Sequence, residues 1–181
     1  MRRRRQGCRS GAAIALVAAA VISLDQWSKD WAQGYLQHFP DQSRHVIGPL
    51  SLQLATNRGA AFSLGNGMYP IVVVVAVALV VAVIVYSRRA ARGGVTVPVI
   101  IGLGLLCGGA VSNLADRSLR HHGGAVVDFI RAVSWWPIFN VADMAITGGA
   151  VVLAVTFLRS GAKGQEEATS ALGGGTQGPR T

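Results

Sequence analysis

VTVPVIIGLGLLCGGAVSNL, from Val95 to Leu114, carries no charged side chain and has the ~20-residue length that crosses a hydrocarbon core as a helix. The same reading extends outward in both directions. Met68 to Tyr86 is unbroken apart from Pro70, and Val141 to Leu158 contains one acid, Asp143. Gly11 to Leu24 is short for a span. It crosses only if its helix continues through Asp25 to about Trp31, which places Trp27 and Trp31 at the interface, where amphipathic aromatics collect. The whole chain has 181 residues, 51% hydrophobic and 14% charged, a single domain too apolar for an ordinary soluble fold.

MRRRR before the first apolar run also suits a secretory signal peptide. No small-x-small site follows the run, which ends Val21-Ile22-Ser23-Leu24-Asp25-Gln26, so the segment is expected to stay as a membrane anchor. Arg2, Arg3, Arg4, Arg5, Arg9, Arg88, Arg89, Arg92, Arg159, Lys163 and Arg180 fall on one side of the four expected spans. Lys29, Arg44, Arg58, Arg117, Arg120 and Arg131 fall on the other. The richer side is expected to be cytoplasmic, with both termini inside. Residues 1–10 then form a basic cytoplasmic N-terminus, 11–158 the membrane domain, and 159–181 a disordered cytoplasmic tail rich in Gly, Ser, Thr and Gln. The net charge of +9 follows from these flanking clusters, which read as orientation signals and anionic-lipid contacts and not as a nucleic-acid surface. Cys8 and Cys107 lie on different levels of this topology and read as inert thiols.

Apart from Glu166 and Glu167 in the tail, the acids are Asp25, Asp30, Asp41, Asp116, Asp128 and Asp143. All six lie in or beside the two outward loops, and carboxylates kept near hydrocarbon are usually in use. Leu50, Leu52 and Leu54 alternate with Ser51, Gln53 and Ala55, the period of a half-buried strand. Thr56-Asn57-Arg58-Gly59-Ala60-Ala61-Phe62 follows as a turn with small residues. The pair reads either as a strand lying on the membrane surface or as a cradle for an extended peptide. Gly104, Gly108 and Ser112 recur every fourth residue as a close-packing face. Asn113, Asp116 and Arg117 share one helical face near its end, where Asp116 is expected to pair with Arg117 or Arg120. Asp128, between Val126-Val127 and Phe129-Ile130, has no adjacent cation. It is either an exposed loop acid between apolar anchors or a desolvated carboxyl suited to holding a proton. Asn140 and Asp143 fit a helix N-cap and its third residue, yet Asp143 also stands at the lip of the hydrocarbon. No His-Glu-x-x-His zinc motif and no Gly-x-Ser-x-Gly elbow is present. His121 and His122 lack further ligands at useful spacing.

Taken in order, Asp25-Gln26-Trp27-Ser28-Lys29, Asn57-Arg58-Gly59-Ala60-Ala61-Phe62, Gly108-Gly109-Ala110 with Asn113-Leu114-Ala115-Asp116-Arg117, Val126-Val127-Asp128-Phe129 and Phe139-Asn140-Val141-Ala142-Asp143 resemble the motif series of bacterial lipoprotein signal peptidase. The resemblance covers about residues 11–158. It implies an all-α integral membrane protein of four transmembrane helices with a small extracytoplasmic β-cradle, set in the bacterial cytoplasmic membrane with its active site at the extracytoplasmic face. It implies an aspartyl endopeptidase that cuts diacylated prolipoproteins just before the lipidated cysteine, without metal or cofactor. By motif position the catalytic pair maps to Asp128 and Asp143. Asn57, Gly59, Asn113, Asp116, Arg117 and Asn140 map to substrate-binding or site-supporting positions, and Asp25 with Lys29, four residues apart, to a structural ion pair. The partners implied are prolipoprotein substrates and membrane lipids, with no nucleic acid, and a bundle carrying its own site suits a monomer. Arg58 inside the turn and Met144 after the last aspartate depart from the expected pattern without removing a catalytic group. A small carrier would place acids near mid-span at broken helices, and a scaffold would explain the small-residue faces but not Asp128 and Asp143.

Overall fold

The computed structural model describes residues 2–58, 81, 95–120 and 123–173. The second expected span (Val81 excepted), Gly59 and the His121–His122 pair lie outside the described residues. The described elements are α1 (Arg2–Leu36), β1 (Ser43–Ile47), β2 (Leu50–Asn57), α2 (Val97–Leu119), β3 (Val126–Arg131) and α3 (Val141–Gly173).

Among the described residues, three helices are long and apolar enough to cross a membrane: 28 residues over Arg9–Leu36, 23 over Val97–Leu119 and 21 over Val141–Gly161. α1 passes through Asp25 without a break, because no proline or glycine interrupts Ala12 to Gln33. It stops where Gly34 and then Pro40 oppose further helix. α2 opens with Pro98 in its first turn, where the missing amide costs nothing. It closes with the Arg120 amide donating to the Asp116 carbonyl. Gly123 and Gly124 follow at φ 62° and 80°, a left-handed pair that turns the chain sharply into β3. α3 runs on to Gly173, past the domain end expected at Leu158. The stretch read from sequence as an unstructured tail is helical as far as that residue. Its Ala162, Lys163, Gln165, Glu166, Glu167, Ala168 and Leu172 are good helix formers, and they outweigh the polar composition that suggested disorder.

The strands form an antiparallel sheet in the order β1-β2-β3. The expected strand at Leu50–Thr56 is β2, and Leu52 and Leu54 pack against a small core of Ala32, Leu36 and Phe129. The position of Asp128 differs from the loop expected. Val126 to Arg131 is a strand, and Ala55 stands opposite Asp128 across the ladder. Val126, Val127, Asp128 and Phe129 are all buried, so the strand shows no alternation for a period-based reading to catch.

α2 is clasped between the other two helices on glycine surfaces. A β-carbon at Gly104 would lie 2.5 Å from the Val17 side chain, and one at Gly108 would lie 2.8 Å from the Ala18 carbonyl, both on α1. Toward α3, one at Gly109 would meet the Ala142 carbonyl at 2.5 Å, and one at Gly149 would lie 2.7 Å from the Gly102 carbonyl. Such backbone approach replaces hydrophobic drive in helix association inside lipid. Gly109→Ala should therefore push back the start of α3, lowering stability by about 1–3 kcal/mol, the usual cost of overpacking. Gly148→Ala, where a β-carbon meets nothing within 4 Å, is the matched control. Thermal unfolding of both variants in detergent checks this, and equal midpoints would refute it.

Candidate active site

Asp25, Lys29 and Asp116 are fully buried. Lys29 Nζ donates to Asp25 Oδ2 at 2.6 Å, Asp116 Oδ2 at 2.8 Å and Asn113 Oδ1 at 3.0 Å. An ammonium has three protons and all are used. Ser112 Oγ adds a bond to Asp25 Oδ2 at 2.8 Å. Asp116 Oδ1 accepts from Gln26 Nε2 at 2.7 Å and pairs with Arg120 Nε at 3.1 Å. Arg120 also reaches Asp30 at 2.7 Å. No buried side-chain nitrogen or oxygen among the described residues lacks a partner, the condition under which a buried ionic cluster is tolerable.

Each inner acid also serves the backbone. Asp25 Oδ1 accepts the Ala142 amide at 2.8 Å, one residue before Asp143. Asp116 Oδ2 accepts the Val127 amide at 3.1 Å, one residue before Asp128. Lys29 thus ties together the two carboxylates that fix the backbone leading into the two outer acids.

Those outer acids meet at Asn140, itself fully buried. Its Nδ2 donates to Asp128 Oδ1 at 2.6 Å. Its backbone amide donates to Asp143 Oδ2 at 3.2 Å, and its Oδ1 accepts the Asp143 amide at 3.0 Å. This is a reciprocal cap, as the spacing of Asn140 and Asp143 suggests. Asn113 Nδ2 donates to Asp143 Oδ1 at 2.9 Å, and Asn57 hydrogen-bonds Asp128 from β2. Burial pushes the Asp128 carboxyl up to about 7, the charge of Asp143 adds to the rise, and bonds from Asn57 and Asn140 with the charge of Lys29 oppose it. Two carboxyls close enough to feel each other's charge, one of them protonated near neutrality, can activate a water and polarise a carbonyl.

Asn57, Asn113, Asp128, Asn140 and Asp143 are therefore brought into one hydrogen-bonded set, with Lys29 one bond behind Asn113 and Asp25 and Asp116 paired to Lys29 in turn. Arg117 is buried and donates to the Gly124 carbonyl at 2.9 Å, holding the glycine turn. Arg120, one of the two arginines expected beside Asp116, pairs with it. Met144 is exposed and does not intrude on the set. The sequence reading missed Gln26 and Ser112 as partners of the inner acids. Ser112 was legible only as a small residue on a packing face.

Residues 17–159 match the family model described as signal peptidase (SPase) II. The chain belongs to that family. A lipoprotein signal peptidase of Mycobacterium avium (strain 104) is 41% identical over 143 residues, spanning 77% of this chain and 75% of that protein. One of Rhodococcus jostii (strain RHA1) is 40% identical over 147 residues, 79% of this chain and 71% of its own length. The fold also resembles a bacterial membrane enzyme solved in meso at 2.3 Å, with TM-score 0.70, 26% identity, and coverage of 84% of this chain and 91% of that one. The segment matched to signal peptidase II contains both the inner charge cluster and the outer acids, Asp25 through Asp143.

Proposed function

We propose that this membrane-embedded peptidase frees diacylglyceryl-modified prolipoproteins of their signal peptides, cutting just before the lipidated cysteine, with Asp128 and Asp143 as its catalytic pair. The observation that carries the reading is the convergence of these two carboxyls, from β3 and from the first turn of α3, on Asn140. One carboxylate takes a proton from water as the water attacks the scissile carbonyl, and the protonated partner stabilises the developing oxyanion. Asn57, Gly59, Asn113, Asp116, Arg117 and Asn140 hold substrate or support the pair, and Asp25 with Lys29 braces them. The substrate's acyl chains stay in the bilayer between helices.

In this reading the described helices are joined by a further span at Met68–Tyr86. Residues 1–10 and the segment from 159 onward face the cytoplasm, 11–158 form the peptidase domain, and the pair lies at the extracytoplasmic face of the cytoplasmic membrane. The arginine clusters beside the spans support that orientation. One chain holds every group named, which suits a monomer.

The test is cleavage in detergent of a prolipoprotein peptide with and without diacylglycerol on its cysteine. Cutting of the modified peptide immediately before that cysteine is expected, and equal cutting of both forms would refute the substrate assignment. The pH profile has a definite sign. The working pair holds one proton, and burial lets Asp128 keep it up to about 7. Raising the pH through that value ionises both carboxyls, so kcat/KM should fall about tenfold per pH unit on the alkaline side. A rate still rising between pH 8 and 9 would contradict this.

A further inference from the structure

The two outer aspartates are not equivalent, and the directions of the hydrogen bonds behind them show why. Lys29 Nζ can only donate, so the Asn113 oxygen must face it, at 3.0 Å. The Asn113 amide nitrogen is thereby turned toward Asp143 Oδ1, at 2.9 Å. Asn140 is fixed in the same way. Its oxygen accepts the Asp143 backbone amide and its nitrogen donates to the Val127 carbonyl at 3.3 Å. The other oxygen of Asp143 receives the Asn140 backbone amide. Asp143 also stands in the first turn of α3, where the free amides favour negative charge.

Asp128 has less of that support, namely a bond from Asn57 on β2 and one from Asn140 at 2.6 Å. It lies on a strand, 2% exposed, and its Asn140 donor is shared with the Val127 carbonyl and with Asn113 Oδ1. Lys29 reaches Asp143 through a single amide, and reaches Asp128 only through two.

Building on the aspartate pair assigned above, we propose that Lys29 and Asn113 are positioning residues that break the pair's symmetry, making Asp143 the proton acceptor and Asp128 the proton donor. In the first step the water oxygen bonds to the scissile carbonyl carbon while its proton passes to Asp143. The Asp128 proton passes to the carbonyl oxygen, leaving a neutral gem-diol. In the second step Asp143 gives its proton to the amide nitrogen as the C–N bond breaks. Asp128 recovers a proton from one diol hydroxyl. The products are a carboxylic acid and an amine, and the pair returns to its starting state. The position of Asp128, able to hold a proton up to about 7, agrees with this direction.

The test uses the full chain in detergent with Asn113→Leu and Asn113→Asp, reading kcat, KM, thermal midpoint and the pH dependence of kcat. Lys29 keeps Asp25 and Asp116 in both variants, so its ion pairs survive. The charged groups around the pair are Asp25 and Lys29 from α1, and Asp116, Arg117 and Arg120 from α2. All are retained, along with Asp128 and Asp143 themselves. Loss of the amide donor removes a bond to the proton-free form of Asp143. The acidic limb of the profile should move up by about one pH unit with the alkaline limb nearly still, kcat should fall roughly 10- to 100-fold and KM should change little. Movement of the alkaline limb alone would reverse the assignment of donor and acceptor. Loss of kcat with both limbs unmoved would leave Asn113 a purely structural role and overturn the proposal. An active Asp128→Asn variant would instead remove the pair itself, a failure distinguishable from either.

Discussion

Asp128→Asn and Asp143→Asn should each lower the rate of prolipoprotein cleavage by roughly 10³-fold or more, because members of a catalytic unit lose nearly the whole effect when one is removed. Both substitutions keep size and polarity. Asn at 128 can still meet the Asn57 amide, and Asn at 143 can still present an oxygen to the Asn113 nitrogen or to the Asn140 backbone amide, so folding should survive. The double variant should be scarcely slower than either single one, which is the mark of groups acting together. Single-turnover cleavage of a diacylated peptide measures this, with binding of the uncleaved peptide as the control. Wild-type-like cleavage by Asp128→Asn would remove it from the pair and turn attention to Asp116.

The second large effect concerns stability. Among the described residues Lys29 is the cation bonded to both Asp25 and Asp116, so Lys29→Met leaves Asp25 buried without it while Asp116 keeps Arg120. Breaking such a buried pair from one side costs about 3–5 kcal/mol, comparable to the whole stability of many domains. Folded protein should be scarce, and what remains should cleave poorly, since the amides of Ala142 and Val127 depend on those same carboxylates. Adding Asp25→Asn and Asp116→Asn should restore part of the stability, because uncharged amides need no counter-charge. Lys29→Arg should restore less than wild type, since a planar fork fits three separated acceptors poorly. Unfolding in increasing SDS ranks the series. A Lys29→Met protein as stable as wild type would show that the cluster contributes nothing to the fold.

Much of the architecture was legible because the signals were long and physically simple. An uncharged Val95–Leu114 can hardly be anything except a span or a core helix, and the Leu50–Leu54 alternation marks a strand whose inner face meets Phe129. Asn140 and Asp143 stood out as a cap because the spacing of that motif is local. What escaped was non-local or aperiodic. β3 is covered on both faces, so Val126–Ile130 reads equally as a strand or as an apolar loop. The end of α3 was misjudged from composition, although its Ala, Lys, Gln and Glu residues prefer helix. Gln26 and Ser112 meet the inner acids only across 87 to 90 positions of chain, by the bonds Ser112 to Asp25 and Gln26 to Asp116. Asp25 and Lys29 could be paired by their spacing, but no spacing rule could reveal that Asp116 completes the same cluster.

That cluster also bears on how the chain enters the bilayer during synthesis. Asp25 and Lys29 are four residues apart on one helix, and Asp116 and Arg120 are four apart on another. Each helix therefore carries its own neutralised pair before the two have met. The ribosome delivers α1 long before α2 exists, and a lone charge waiting in the membrane would resist insertion. A self-paired helix can go in by itself, and when its counterpart arrives Lys29 need only extend its contacts to Asp116. The spacing that later builds the buried cluster first serves as a passport for insertion, and a substitution that spares the finished cluster can still fail if it strands one half of a pair on the way.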